Sequence, residues 1–206
     1  MKELIQSVLL QNRATREFEP AELYRELDQK NFDDFQGLWK PMLESRRADF
    51  PSWAAAAAGD AQDSHWEWAE KAMDAAGSLG QETVAVECAG ETQGLMLVDT
   101  TRFARSDRQK GRELVYVDLL ATATWNRPRL VPEARYKGVG RILIATAISL
   151  SYELEFNGRL GLHSLPQSES WYRDVAGFSD MGYDAPKRMR YFEVTEAQAA
   201  AFLSDK

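Results

Sequence analysis

Cysteine and histidine are almost missing from this chain of 206 residues, which holds one cysteine, Cys88, and two histidines, His65 and His163. A lone cysteine forbids an internal disulfide, which fits a reducing compartment. The two histidines and the cysteine lie far apart and give no metal-ligand spacing, so no metal is expected. Cys88 ends the strand-like run Thr83-Val-Ala-Val-Glu-Cys88, where a thiol serves as a small buried hydrophobe. Long apolar runs are missing too. No stretch reaches the ~18 apolar residues of a membrane helix, and Met1-Lys-Glu-Leu-Ile5 lacks the apolar core of a signal peptide. The expectation is a cytoplasmic protein with no membrane partner.

A basic excess is also absent: 25 Lys and Arg stand against 32 Asp and Glu, a formal net charge of −7. That disfavours nucleic acid as a partner. An acidic surface suits a cationic substrate, such as an amine. Three catalytic signatures are lacking. There is no Gly-x-x-x-x-Gly-Lys-Ser/Thr phosphate loop, the dinucleotide pattern Gly-x-Gly-x-x-Gly fails at Leu143, and no Gly-x-Ser-x-Gly elbow presents a serine nucleophile.

The hydrophobic fraction, 44%, suffices for a chain of this length to bury a core as one domain without staples. Up to about Gly80 the pattern reads mostly helical. Leu4-Ile5 and Val8-Leu9-Leu10 fit either a short helix or a first strand. Pro20, ahead of Ala21-Glu-Leu-Tyr-Arg-Glu-Leu27, marks a helix start. Phe35, Leu38, Trp39, Met42 and Leu43 predict a second helix from about Asp33 to Arg47. After Pro51 comes the alanine-rich stretch Trp53 to Ala58. Asp63-Ser64 then caps a third helix with Trp66, Trp68, Ala69, Met73 and Ala76, which Gly77 and Gly80 end.

From Glu82 the pattern alternates. Glu82 to Cys88 and Gly94 to Val98 read as strands around a turn at Ala89-Gly-Glu-Thr92. Thr100 to Gly111 reads as a loop, Glu113 to Ala123 as a third strand, and Trp125 to Pro132 as a connection broken by two prolines. Gly138 to about Phe156 is a long helix with Ile142, Leu143, Ala145, Thr146, Ile148, Leu150 and Leu154 on its apolar face. A strand at Leu160 to His163, a short helix at Ser168 to Val175, a hairpin from Phe178 to Val194 and a short helix capped by Thr195 follow. The sum is one α+β domain with a mixed sheet.

The informative segment is Arg135-Tyr136-Lys137-Gly138-Val139-Gly140-Arg141. A tight turn opening a long helix leaves backbone N–H groups without intrahelical partners, at the positive end of the helix dipole. That is an anion site suited to a pyrophosphate. Glycines at 138 and 140 allow close backbone approach, and Arg135, Lys137 and Arg141 add positive charge.

Arg135-x-x-Gly138-x-Gly140 resembles the Gln/Arg-x-x-Gly-x-Gly/Ala motif of the GNAT N-acetyltransferase superfamily. Trp171-Tyr172 followed by Gly177-Phe178 is similar to its Tyr…Gly-Phe signature. The likeness covers Glu82 to Val194, and the blocks Leu120 to Arg127 and Gly161 to Gln167 resemble an uncharacterised bacterial subgroup. The resemblance implies a mixed, splayed sheet flanked by helices. It also implies a single domain, with residues 1–80 a helical acceptor-side region and 81–206 the acyl-CoA-binding core. Acetyl-CoA is the implied co-substrate and direct transfer to a primary amine of a small molecule the implied reaction. Leu120, Ala121 and Thr122 would pair with the pantetheine arm, and the backbone of Tyr136 to Arg141 would hold the pyrophosphate.

On the same resemblance Asp118, with Glu113 further off, matches the proton-accepting carboxylate, and Tyr172 matches the proton donor to the thiolate. Tyr116, Asp118 and Leu120 share one strand face by the period of two. The interval from Tyr172 to Gly177 is one residue longer than the family's usual spacing, which threatens to rotate the hydroxyl away. His163 and Ser164, ending a strand near the expected cleft, and Trp125 are substrate-side candidates. Trp39, Trp53, Trp66 and Trp68 are read as core, with an aromatic amine pocket as the alternative. Two alternative functions stand beside the first: a CoA-binding module without turnover, and an acetyltransferase for protein lysines or N-termini. A homodimer is allowed.

Overall fold

The computed structural model describes residues 2–52, 55 and 59–204. Trp53, one of the tryptophans weighed for an aromatic pocket, lies outside them. The fold is mixed α+β, and its nine-stranded sheet has the order β6-β1-β2-β3-β4-β5-β7-β9-β8. The chain forms two compact units, Met1–Leu97 with Leu119–Leu143, and Val98–Asp118 with Ile144–Lys206. Three elements run through both: β4 (Glu91–Phe103), β5 (Glu113–Thr122) and α4 (Val139–Glu153).

The first unit begins with strands, which corrects the helical reading of residues 1–80. β1 (Glu3–Asn12) and β2 (Phe18–Arg25) form an antiparallel hairpin, and β2 pairs onward with β3 (Gln81–Cys88). Pro20 therefore sits inside a strand rather than opening a helix. Period two decides the matter: Ala21 and Leu23 are buried while Glu22 between them is exposed. The β2–β3 ladder spans only Ala21–Arg25, so the missing Pro20 N–H interrupts no pairing on that side.

The next helices are α1 (Gln29–Asp34), a π-helical turn (Phe35–Trp39) and α2 (Lys40–Ala48). A reciprocal capping box between Asp28 and Asn31 starts the run. Phe35, Trp39 and Leu43, four apart, are buried, whereas Leu38 and Met42 face outward. α3 (Trp68–Ala76) starts later than expected. Asp63 does not cap it, because a buried ion pair with Arg127 takes both its oxygens, at 2.8 and 2.6 Å. β3 and β4 turn at Ala89 and Gly90, both with positive φ (52° and 77°), the pair a tight hairpin requires. β4 extends to Phe103, beyond its expected end. The core of this unit holds Phe35, Trp39, Leu43, Trp68, Leu95, Leu97 and Ala121.

In the second unit β5 runs parallel to β7 (Leu160–Ser164) over only three pairs, Val115–Val117 with Leu160–Leu162. β5 then continues to Thr122, as in a splayed sheet. β7 pairs antiparallel with β9 (Met189–Val194), and β9 with β8 (Ser179–Asp184). α5 (Glu196–Ser204) follows. Phe178, Phe192, Phe202 and Tyr172 pack as an aromatic cluster with ring centroids about 6 Å apart.

Candidate active site

The anion turn lies in the first unit. β6 (Tyr136–Lys137) pairs with Gln11 and Asn12 of β1 and delivers the chain to Gly138. Gly138 has φ +101°, where a side chain is strained, and a Cβ there would meet no atom within 4 Å. The Ile142 N–H donates to the Gly138 carbonyl at 2.9 Å, starting the 15-residue α4. The first-turn amides of Val139 and Gly140 therefore precede the intrahelical ladder. At Gly140 a Cβ would lie 3.9 Å from Thr122 Cγ2, an ordinary contact, so packing alone does not demand glycine.

One expected donor is excluded. The Tyr136 N–H donates to Asn126 Oδ1 at 2.9 Å, so the pyrophosphate donors begin after it. Asn126 is itself held, because its Nδ2 donates to Gln93 Oε1 at 2.9 Å. Buried Gln93 also accepts from the Trp125 indole N–H at 2.9 Å and donates to the Cys88 carbonyl at 3.1 Å. The Tyr136 hydroxyl donates to Glu19 Oε2 at 2.5 Å. That bond and the Asn12 amide hold the Glu19 carboxyl below its ordinary pKa, while burial and Glu19 push the Tyr136 phenol up. The turn thus rests on a braced platform.

The three expected cations differ. Arg135 is ion-paired with Glu91 and lies over the Tyr136 ring. Lys137 is exposed, and Arg141 is half-buried in the first turn of α4. Along β5, Leu120 is half-buried and Ala121 buried. The Thr122 carbonyl accepts from Arg127 Nε at 2.8 Å, which takes that group from the set expected to face pantetheine. Trp125 packs edge-to-face on Trp39, centroids 6.2 Å apart, with its N–H on Gln93, so it serves the core rather than an acceptor. Trp39 and Trp68 are fully buried and Trp66 packs against the same cluster.

The catalytic candidates lie in the second unit. Asp118 is exposed at the end of the β5–β7 ladder; Glu113 is exposed at the other end of the strand. Tyr172 is buried to 7% exposure, and burial drives its phenol pKa well up, which keeps the hydroxyl protonated. The long interval to Gly177 has a structural outlet. Residues Trp171–Val175 form a π-helical turn in which the Ala176 N–H donates to the Trp171 carbonyl at 2.8 Å. A π turn holds one residue more than an α turn, and Tyr172 stays against Phe178 at 5.8 Å.

His163 is buried, with both ring nitrogens engaged: Nδ1 lies 2.6 Å from the Tyr116 hydroxyl and Nε2 2.9 Å from Asp184 Oδ2. Arg105 Nη1 donates to the same carboxylate oxygen at 2.7 Å. Arg105 and His163 hold the Asp184 carboxyl down to about 2; burial lowers the His163 pKa. The buried Ser164 hydroxyl donates to the Leu165 carbonyl at 2.9 Å. Asp184, Arg105, Asn126 and Gln93 were not legible as site residues. Their partners lie 10 to 79 positions away in sequence, and no spacing rule links them.

Comparison with known proteins bears on the fold. No family model matches the sequence, and no curated protein matches it. Solved structures do. A Desulfovibrio desulfuricans protein assigned to the GNAT family is 15% identical, with TM-score 0.50, over 85% of this chain and 99% of that one. The PaiA N-acetyltransferase of Thermoplasma acidophilum, solved with coenzyme A, is 11% identical, with TM-score 0.50, over 84% of this chain and 97% of that one. A bacterial toxin is 10% identical, with TM-score 0.50, over 71% of this chain and 82% of that one. At such identities the likeness concerns architecture: the chain has the GNAT acetyltransferase fold.

Proposed function

We propose that this chain is an N-acyltransferase that uses acetyl-CoA and acylates a primary amine of a small molecule. The observation that carries the reading is Gly138, in the left-handed region directly before α4, with open space where a Cβ would stand. Such a turn brings the first-turn amides of Val139 and Gly140 to an anion, aided by the α4 dipole and Lys137. The cradle fits a pyrophosphate, and glycine at 140, which packing does not require, fits close approach by a ligand.

Acetyl-CoA supplies an activated acyl carbon and a thiolate leaving group. The chain's own groups then divide the work. Leu120 and Ala121 offer strand backbone to the pantetheine amides. Tyr172, kept protonated by burial, donates a proton to the departing sulfur. Asp118, exposed on β5, attracts the ammonium. The acidic net charge of −7 favours cationic acceptors.

The test is release of CoA thiol from acetyl-CoA with a panel of alkyl diamines, aminoglycosides and lysine peptides. Turnover of the small amines that falls in Tyr172→Phe is expected. No turnover with any amine leaves only the CoA-binding module, and turnover of the peptides alone makes the acceptor a protein.

A further inference from the structure

The hydrogen-bonded line Tyr116–His163–Asp184 has no part in the scheme above, yet it joins a hydroxyl, an imidazole and a carboxylate in the order a proton relay needs. Asp184 also accepts from Arg105, so it is the fixed anion at the far end. An anion facing Nε2 selects the Nε2–H tautomer, and Nδ1 is left to accept from the Tyr116 O–H. The phenol oxygen, which the His163 backbone also approaches, keeps a lone pair for a further donor. Tyr116 retains 9% exposure and shares its β5 face with exposed Asp118. We propose that Tyr116 takes the proton of the acceptor ammonium and passes its own to His163, Asp184 holding the imidazole in place; this rests on the acyltransferase reading.

The step balances. An ammonium N–H bond breaks and its electron pair stays on nitrogen as the nucleophilic lone pair. The proton goes to Tyr116 Oη while the Tyr116 proton goes to His163 Nδ1. The positive charge moves from the ammonium to an imidazolium beside the Asp184 carboxylate. Tyr116 is thus a catalytic residue, while His163 and Asp184 act through it as positioning and proton-storing residues. Asp118 attracts the ammonium without being the final acceptor.

The charged and titratable groups around this line come from five places. They are Tyr116 and Asp118 on β5, Arg102 and Arg105 at the end of β4 and just beyond it, Asp184 on β8, Lys187 in the following turn, and Tyr191 with Glu193 on β9. Arg105 and Lys187 oppose protonation of His163, and Asp184 favours it. Burial is the largest influence and keeps the resting imidazole neutral, ready to accept.

Two measurements test the relay. The first is nitrogen-15 NMR of the imidazoles in the free protein, with His65 as internal reference. Neutral His163 protonated at Nε2 at pH 7 is expected, and the Nδ1–H tautomer overturns the proposal whatever the activity. The second is the pH dependence of kcat/KM for the best amine of the panel. His163→Gln and Tyr116→Phe should each lose on the order of 10²-fold at pH 7 and regain activity with rising pH, as free amine replaces ammonium. A loss by the same factor at every pH marks a structural role and sinks the relay while leaving the acyltransferase standing. If no amine in the panel turns over, the functional reading falls and the relay with it.

Discussion

The backbone N–H of Tyr136 is bound by the side chain of Asn126, Oδ1 at 2.9 Å, so the residue that enters the anion turn is held from behind. Asn126→Ala removes the acceptor of the buried Tyr136 N–H and leaves Gln93 Oε1 with the Trp125 indole as its remaining donor of the two. A stability loss of about 1–3 kcal/mol in urea unfolding is expected. Acetyl-CoA affinity should weaken as well, by a factor between roughly three and ten for one lost hydrogen bond.

Gly138 and Gly140 separate fold from ligand. Alanine at 138 must take φ +101°, and an unfolding cost of about 1–2 kcal/mol is expected. Alanine at 140, in the first turn of α4, meets only Thr122 Cγ2 at 3.9 Å. It should stabilise the fold by about 0.5–1 kcal/mol while weakening acetyl-CoA binding. Parallel thermal melts and ligand titrations check the crossing of the two effects.

Arg127 and Asp63 are a bidentate pair, both nearly without solvent contact, and Arg127 also holds the Asp60 carbonyl at 3.0 Å. Arg127→Met removes the bidentate counter-ion of the buried Asp63 carboxylate, and a loss of about 3–5 kcal/mol is expected in chemical denaturation. Adding Asp63→Leu should restore most of it, because an apolar pair avoids the desolvation cost.

Acid should destabilise the protein in two stages. Burial lowers the folded His163 pKa, so the unfolded chain binds more protons below the ordinary value of about 6.5. His163 therefore contributes stability above that pH that is lost as the pH falls toward the folded value. Asp184, held down to about 2, contributes stability present above about 3.9 and lost as the pH falls toward 2. Melting temperature recorded from pH 8 to pH 4 should fall in wild type below pH 6.5 and fall less in His163→Gln.

Tyr172→Phe should leave acetyl-CoA affinity and stability nearly unchanged, since the ring stays among Phe178 and Phe192. The rate of acyl transfer should drop by roughly 10²–10⁴-fold. An unaltered rate would contradict the assignment of this hydroxyl as the proton donor.

What the sequence made legible follows from how local each signal is. β3, β5, α4, β7 and the last hairpin are readable because each is a short apolar run or a helically spaced apolar face set off by polar or turn residues. β2 was misread because proline is a local signal, while the burial that makes it a strand comes from β1 and β3. Asp63 was misread for a related reason: its partner, Arg127, lies 64 residues on. The long interval after Tyr172 looked like a defect in one dimension, and the π turn at Trp171–Val175 absorbs it in three. The glycines of the anion turn were visible from composition and setting, but the bracing by Asn126, Gln93 and Glu19 was not, since side-chain bonds across strands leave no period in a sequence.

The central claim is that the turn at Gly138 holds acetyl-CoA. Calorimetric titration of the wild-type protein with acetyl-CoA, repeated on Gly140→Val, tests it most directly. Saturable one-site binding by the wild type, lost in a variant that still melts cooperatively, is the expected result. No heat with wild type, or equal affinity in both proteins, would contradict it.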